Sequence, residues 1–201
     1  MKSYSKLILL ACATLIAVLG VGCTHMGKVQ PNIAPVVHGT TKIPANVALV
    51  LDRELDGFQY KFNMMGDTWQ YPFGPALKDY ARNVTSGLFE NVSVVSSPAE
   101  VSGKTVNLIM RVKGVKAEQT MPSTAFELRK FTLVVQWTVR DGADAKDIWI
   151  KTLSGYAEEP GGNIFTGETH EKLMFQKLFD DLTKKTVDAM TQSPELARGG
   201  K

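Results

Sequence analysis

The sequence offers few side chains whose types and spacing could carry out chemistry. His170 and Glu171 begin the zinc-binding helix motif H-E-x-x-H, but Met174 stands at the position of the second histidine ligand. The pattern therefore predicts no zinc pair, and His170 is explained more simply as a polar residue near the start of a helix. His170 would also have to serve any Ser-His-Asp triad, because the other histidines lie outside the expected domain, and no serine stands out as its partner.

Three aspartates, Asp141, Asp144 and Asp147, could suggest a calcium site. The EF-hand loop places oxygen ligands at every second position, followed by a glycine and a later glutamate, whereas these residues are three apart. We interpret them as part of a solvated hairpin turn. Since the sequence also contains no phosphate-binding glycine loop and no nucleophile elbow, we expect no catalytic residue, no metal and no cofactor.

Cys23 has the most informative surroundings in the sequence. Lys2 and Lys6 precede an apolar run over residues 7–21, and Gly22 separates that run from the cysteine. A positive start, an apolar stretch and small residues at its end are typical of a secretory signal peptide. The run is short for a transmembrane helix, which needs about 20 apolar residues. An ordinary cysteine beyond a signal-peptidase site and an uncleaved signal anchor are the alternatives.

The segment Leu19-Gly20-Val21-Gly22-Cys23 resembles the lipobox of bacterial lipoproteins, with Gly20 where that family usually has leucine. The resemblance implies that Cys23 is acylated and becomes the first residue of the mature protein. This covalent lipid would be the only non-protein group, and several acyl chains would hold the protein stably on a membrane. In that family an Asp after the cysteine retains the protein in the inner membrane. Thr24 and His25 follow here, which implies the outer membrane, with the domain facing the periplasm.

Removal of residues 1–22 would leave 179 of the 201 residues, enough for one domain with its own core. Lys2 and Lys6 would leave with the signal, so that 21 of the 23 basic residues would face 20 acidic ones. This nearly neutral balance lacks the excess of positive charge that is typical of proteins that bind nucleic acid. Cys12 would also be removed, which leaves Cys23 as the only cysteine and excludes an intramolecular disulfide. The oligomeric state does not follow from the composition.

Glycine and proline predict the domain boundaries. They interrupt the region up to residue 44, so we expect a flexible tether over residues 23–44, spanning about 25 Å and containing His25 and His38. A single domain is predicted over residues 45–191, and Ser193-Pro194 should end its last helix. Residues 192–201 are expected to form a loose tail.

The hydrophobic pattern predicts an α+β domain. Apolar alternation or apolar runs predict strands at 46–52, 58–62, 92–95, 106–112 and 126–139, with a hairpin over 131–154 that turns at Asp141-Gly142. A parity shift predicts a β-bulge near Arg129 and Lys130. Stripes with helical spacing predict helices from Gly74 to about Asn91 and over 168–191. We therefore expect a two-layer sandwich of a mainly antiparallel sheet with two helices packed on one face.

Two loops could contact a partner. The loop over residues 63–73 is rich in aromatic residues and methionine, which are enriched at interfaces. Its candidate contacts for a partner or ligand are Met64, Met65, Trp69, Tyr71 and Phe73. In the alternative interpretation these side chains fold back and cap the core. The segment Gly155–Gly167, which contains Glu158 and Glu159, is expected to be a mobile loop or a docking edge.

The order of elements over roughly residues 46–190 resembles small outer-membrane lipoproteins, including the lipopolysaccharide-assembly lipoprotein and the auxiliary lipoproteins of ABC-type lipid transport systems. The resemblance implies a non-enzymatic binding or adaptor component of an envelope assembly or transport system, anchored to the membrane and bound to an envelope protein. One alternative is a lipid or small-ligand carrier with an apolar groove between sheet and helices. A second alternative is an envelope hydrolase that would depend on His170.

Overall fold

The computed structural model describes residues 24–33, 42–64, 67–97, 106–120, 128–160 and 167–198. Residues 1–22 and Cys23 lie outside this part of the chain, as do Met65 and His38. The strands are β1 (Thr24–Met26), β2 (Ile43–Val50), β3 (Gln59–Met64), β4 (Asp67–Pro72), β5 (Phe89–Val95), β6 (Val106–Thr120), β7 (Leu128–Arg140) and β8 (Asp147–Pro160). The helices are α1 (Gly74–Leu88), α2 (Gly167–Thr191) and α3 (Pro194–Arg198), with a 3₁₀ turn at Arg53–Leu55.

Five strands form the main sheet in the order β5-β2-β6-β7-β8. The long strands β6, β7 and β8 pair antiparallel, whereas β2 pairs parallel with both β5 and β6. Strand β2 can occupy this central place because Val47 and Leu49 are buried on one face while Ala48 and Val50 are buried on the other. Helix α1 makes the crossover to the parallel strand β5, a connection that the sequence pattern did not predict.

Helices α1 and α2 pack on one face of the main sheet, so the predicted α+β class with two helices on one face is confirmed. Helix α1 presents a stripe that includes Leu77, Tyr80 and Val84, as its 3.6-residue spacing predicts. Helix α2 contributes a second stripe to the same core. The fully buried core residues include Leu49, Leu77, Tyr80, Leu108, Leu133, Trp137, Phe175, Phe179 and Leu182. Burial of each Leu or Phe side chain in this set contributes about 1.5–3 kcal/mol to stability.

A second, smaller sheet has the order β1-β4-β3. Strands β3 and β4 form an antiparallel hairpin in which Phe62 faces Trp69 and Tyr60 faces Tyr71. The aromatic residues of this hairpin lie on one face and pack towards Phe131 of β7. The predicted loop over residues 63–73 is therefore largely a strand, because Trp69 and Tyr71 alternate with polar neighbours along a half-buried surface.

The predicted β-bulge near Arg129 and Lys130 is wrong. The ladder between β7 and its neighbours passes through both residues without a break, and the register shifts instead between Val112 and Gly114 of β6. The reason is visible in β6, where the core-facing positions change from Val112 to Val115, an odd spacing that requires one extra residue.

Parts of three segments expected to be irregular belong to regular elements. Residues 155–160 continue β8, and Gly155 and Glu159 within them are buried. The expected tail contains α3, whose Leu196 is buried. The expected tether contains β1, which pairs parallel with β4, so residues 24–33 belong to the folded domain.

Candidate functional site

The candidate contact residues whose side chains the structure describes are buried or half-buried. Tyr71 and Phe73 are 1% and 0% exposed, and both rings make edge contacts with Phe175 of α2. The core-capping interpretation therefore describes these two residues, and neither is available as a surface contact. Trp69 is half-buried. The side chain of Met64 and the whole of Met65 lie outside the described residues, so their role stays a prediction.

Trp69 lies at the centre of an aromatic stack at the end of the small sheet. The ring of His25 stacks on it at a centroid distance of 4.6 Å, and Phe62 stacks on it at 6.4 Å. The stack forms because the register of the sheet places His25 and Phe62 on either side of Trp69. We refer to His25, Phe62, Trp69 and Arg129 as the tip cluster.

Arg129 adds a cation to the tip cluster. Its guanidinium carbon lies 5.5 Å from the centre of the Trp69 ring, within the range of a cation–π interaction. The same guanidinium lies 3.8 Å from Glu171 Oε1, and both side chains are largely buried. The N-terminal turn of α2, which carries Glu171 and His170, is thereby held against the start of β7.

Residues 24–33 form a strap that crosses from the small sheet to both main helices. The N–H of Gly27 donates to the carbonyl of Gln70 at 2.8 Å, which extends the pairing of β1. Val29 is buried, and the carbonyl of Ile33 accepts a bond from Asn83 Nδ2 of α1 at 2.6 Å. Asn32 bonds to Gln176 of α2. The strap is therefore fixed at both ends.

The two edges of the main sheet differ. At β8, Asp181 Oδ2 accepts a bond from the N–H of Tyr156 at 2.9 Å, and Lys185 Nζ donates to the carbonyl of Ser154 at 2.9 Å. Side chains of α2 thus form hydrogen bonds with backbone groups of this edge strand, which hinders the pairing of a further strand. At the opposite edge, β5 exposes Glu90, Asn91, Ser93 and Val94, and Val94 is 50% exposed.

Two cavities of the described part with apolar residues in their lining are small, whereas a groove of about 430 Å³ along β5 is lined mainly by polar residues, among them Asn46, Glu90 and Ser93. An apolar cavity between the sheet and α3 has a volume of about 10 Å³ and includes Leu196 in its lining. A groove beside the 3₁₀ turn has a volume of about 200 Å³, and its lining combines Asp52, Glu54 and Arg111 with Leu55 and Met110. Ligand pockets usually measure about 300–1,000 Å³, so neither cavity favours an apolar carrier.

The aspartates considered as calcium ligands form hydrogen bonds or an ion pair within the protein. Asp141 Oδ1 and Asp144 Oδ1 accept backbone N–H bonds within the β7–β8 turn, and Asp147 pairs with Arg140 at 2.7 Å. These bonds agree with a solvated turn. Within the part of the chain that the structure describes, no group of three or more His, Cys, Asp or Glu residues is placed to hold a metal.

Among the described residues, Tyr80 has the largest shift of pKa, and it is buried in the core. Tyr80 Oη accepts a bond from Trp137 Nε1 at 3.3 Å and bonds to the hydroxyl of Thr186. Burial raises the pKa of Tyr80 well above its ordinary value, and the bonds to Thr186 and Trp137 offset part of this effect. The arrangement is a satisfied polar network that orients three core side chains.

Sequence reasoning missed His25 and Arg129 as neighbours of Trp69, and Glu171 as a neighbour of Arg129. His25 belongs to a three-residue strand, which is too short to show an alternation of apolar and polar residues. Arg129 and Glu171 come from β7 and α2, so their proximity depends on tertiary packing. The alternation of Trp69 and Tyr71 was the one signal that could have identified β4.

No protein-family model and no curated protein matches the chain by sequence. Among solved structures, the fold is similar to that of protein XCC0632 from Xanthomonas campestris, described with the family model DUF330. The TM-score is 0.51 at 12% identity, and the match covers 83% of this chain and 97% of that chain. A minor lipoprotein from Acinetobacter baumannii gives a TM-score of 0.43 at 14% identity, with coverages of 74% and 91%. The similarity to the Xanthomonas protein concerns the fold.

Within the described ranges, none of the helices combines the length and the apolar character that crossing a bilayer requires.

Proposed function

We propose that this protein is a non-enzymatic lipoprotein of the bacterial cell envelope, anchored by acyl chains on Cys23. Its domain would face the periplasm from the outer membrane and bind another envelope protein. The observation that carries the anchoring proposal is the segment from Lys2 to Cys23, which combines a positive start, an apolar run and a lipobox-like end. Thr24 and His25 follow the cysteine without an acidic residue, which supports the outer membrane.

The positions of the strands, the helices and the two cysteines relative to the proposed cleavage site agree with this proposal. Cleavage before Cys23 would keep β1 and all later described strands and helices in the mature protein. Cys12 lies inside the segment that would be lost, and Cys23 is the only other cysteine.

The anchoring proposal is tested by fractionation of cells that produce Cys23→Ser. We expect this variant to lose the mature, membrane-associated form and to accumulate as precursor or as released protein. Cys12→Ser is the matched control, because it changes the same residue type within the segment to be removed. Membrane association of Cys23→Ser at the level of the control would contradict acylation at Cys23.

The binding proposal is supported by the difference between the sheet edges. Because α2 side chains occupy backbone groups of β8, strand addition is favoured at β5, where Val94 offers an exposed apolar side chain. We therefore propose β5 as the edge that receives the partner protein.

Photo-cross-linking in cells tests this surface. A photoreactive residue is placed at Val94, and the control places it at Ile150, which is 53% exposed on the outer face of β8. We expect a discrete protein adduct from position 94 that is absent from position 150. Equal adducts from both positions, or none from position 94, would contradict binding at β5. Lipid adducts from position 94 would instead favour a carrier.

A further inference from the structure

The strap leaves almost no free chain between the proposed anchor and the domain. Thr24 already pairs with Thr68 in the small sheet, and consecutive Cα atoms lie about 3.8 Å apart. An acyl group on Cys23 would therefore enter the membrane within one residue of an ordered strand. A flexible tether of about 20 residues would instead allow the domain to move by about 25 Å.

The small sheet lies at one end of the long axis of the main sheet. Tyr71 contacts Phe131 at 5.3 Å between ring centroids, and two residues further out Trp69 lies beneath Arg129. The small sheet therefore extends along β7 towards its first residues, and Thr24 and Thr68 lie beyond the level of Trp69.

The opposite end of β7 is far from this point. From Arg129 to Arg140 the strand rises over eleven residues, which spans about 37 Å. The β7–β8 turn, which contains Ala143, follows Arg140. The two ends of the domain can therefore be distinguished by their distance from the anchor.

From this geometry we propose that the tip of the small sheet is a membrane-contacting surface that rests on the leaflet holding the acyl chains. This inference rests on the proposed acylation of Cys23. Thr24 and Thr68 make the outermost contact, and Trp69 and Met26 lie behind them at the level of the headgroups, because Met26 pairs with Gln70, one residue further from the tip than Trp69. Met26 is 63% exposed, which is unusual for a large apolar side chain and suits a lipid interface.

The chemistry of the tip agrees with a lipid headgroup region. Trp and His rings with polar edges suit the boundary between acyl chains and water, and Lys61 is exposed on β3, where it pairs with Gln70. The pairing of β1 with β4 and the bonds of the strap to α1 and α2 make the tip rigid relative to the core. The domain is therefore held in one orientation, with the β7–β8 turn directed away from the membrane.

The test uses the acylated protein in vesicles of phosphatidylethanolamine and phosphatidylglycerol. The only mature cysteine would be blocked by its thioether bond to lipid, so Met26→Cys or Ala143→Cys each provides a unique thiol for a fluorescent label. Both positions are exposed, and Ala143 is the matched control at the far end. A lipid-borne quencher then reports contact with the bilayer.

We expect the label at position 26 to lose about half of its emission and the label at position 143 to lose less than about a tenth. A third protein carries Met26→Cys and a flexible Gly-Ser linker of ten residues between Cys23 and Thr24, which spans about 17 Å. This linker should reduce the quenching at position 26 while the protein remains bound to the vesicles.

Equal, weak quenching at positions 26 and 143 in vesicle-bound, acylated protein would overturn the membrane-contacting surface while leaving the anchor intact. Quenching at position 26 that is unchanged by the linker would also overturn it, because contact would then not depend on the short connection. Protein without acyl chains by mass spectrometry would overturn the anchoring proposal and this inference together.

Discussion

Asn32 and Gln176 exchange a reciprocal pair of hydrogen bonds across 144 positions of sequence. The N–H of Asn32 donates to Gln176 Oε1 at 2.7 Å, and Gln176 Nε2 donates back to the carbonyl of Asn32 at 3.0 Å. One amide side chain on α2 thus pairs with the backbone of the strap in the manner of a neighbouring strand. This pair fixes the far end of the strap, so the first residues of the domain are tied to its last long helix.

Gln176→Ala should loosen the strap without unfolding the core. The substitution removes both bonds to Asn32, each with a net contribution of about 0.5–1.5 kcal/mol. We expect the backbone amide of Asn32 to exchange with solvent about tenfold faster, while core amides change little. Hydrogen exchange with mass spectrometry measures this, and Lys172→Ala, an exposed change on the same helix, is the control. Unchanged exchange over residues 24–33 would mean that the pair does not hold the strap.

Gly155→Ala should destabilise the fold because the sheet and α2 touch at this position. An added Cβ would lie 2.6 Å from the carbonyl oxygen of Leu178 and 2.9 Å from Leu182 Cβ. Since the first of these is a backbone atom, the helix would have to shift, at a cost of about 1–3 kcal/mol.

Gly114→Ala is the matched control for Gly155→Ala, because an added Cβ there meets no atom within 4 Å. Urea unfolding should show a lower midpoint for Gly155→Ala and little change for Gly114→Ala. Equal midpoints for the two variants would contradict the close approach of β8 to α2.

Tyr80→Phe should lower stability by removing the centre of the buried polar network. Trp137 Nε1 would lose its acceptor and remain buried, which costs about 1–3 kcal/mol. Chemical unfolding at neutral pH measures the difference. Tyr156→Phe, at an exposed position, should leave the unfolding midpoint nearly unchanged, and an equal loss in both variants would argue against the network.

The same residue predicts how stability depends on alkaline pH. The pKa of Tyr80 is raised by burial in the folded state, whereas it is about 10 in the unfolded chain. Above about pH 10 the unfolded chain therefore binds fewer protons than the folded protein, and the free energy of unfolding falls as pH rises. Unfolding series between about pH 8 and 11 should show a shallower decline for Tyr80→Phe. An identical decline in both proteins would contradict a protonated, buried Tyr80.

The helices and strands that could be predicted from sequence are those whose buried residues recur at regular spacing over a long segment. The stripe through Leu77, Tyr80 and Val84 identified α1, and the alternation through Leu133, Val135 and Trp137 identified β7. In both cases the pattern spans several turns or residues, so one exception does not change the interpretation.

The remaining elements depend on contacts that a local pattern does not record. Gly155 suggested a loop, yet the glycine is required where β8 approaches the backbone of α2. Strand β1 exists because three residues add to the edge of β4, and no period can be recognised in so short a segment. Of the candidate site, the sequence could indicate Cys23 and Trp69, but the placement of His25 and Arg129 around Trp69 results from tertiary packing.

Asp181→Ala should weaken the protection of the β8 edge. The substitution removes the acceptor for the N–H of Tyr156, which then must bond to water. We expect several-fold faster exchange at the Tyr156 amide and a greater tendency to associate at high concentration. Asp188→Ala, an exposed change on the same helix, is the control, and unchanged exchange at Tyr156 would contradict the capping of this edge.

The mass of the mature N-terminal peptide tests the central proposal, acylation at Cys23, most directly. The protein is isolated from the membrane fraction, digested and analysed by mass spectrometry. We predict a peptide that begins at Cys23 and carries the added mass of acyl chains, with no peptide from residues 1–22. A peptide in which Gly22 precedes an unmodified Cys23 would contradict the proposed anchor.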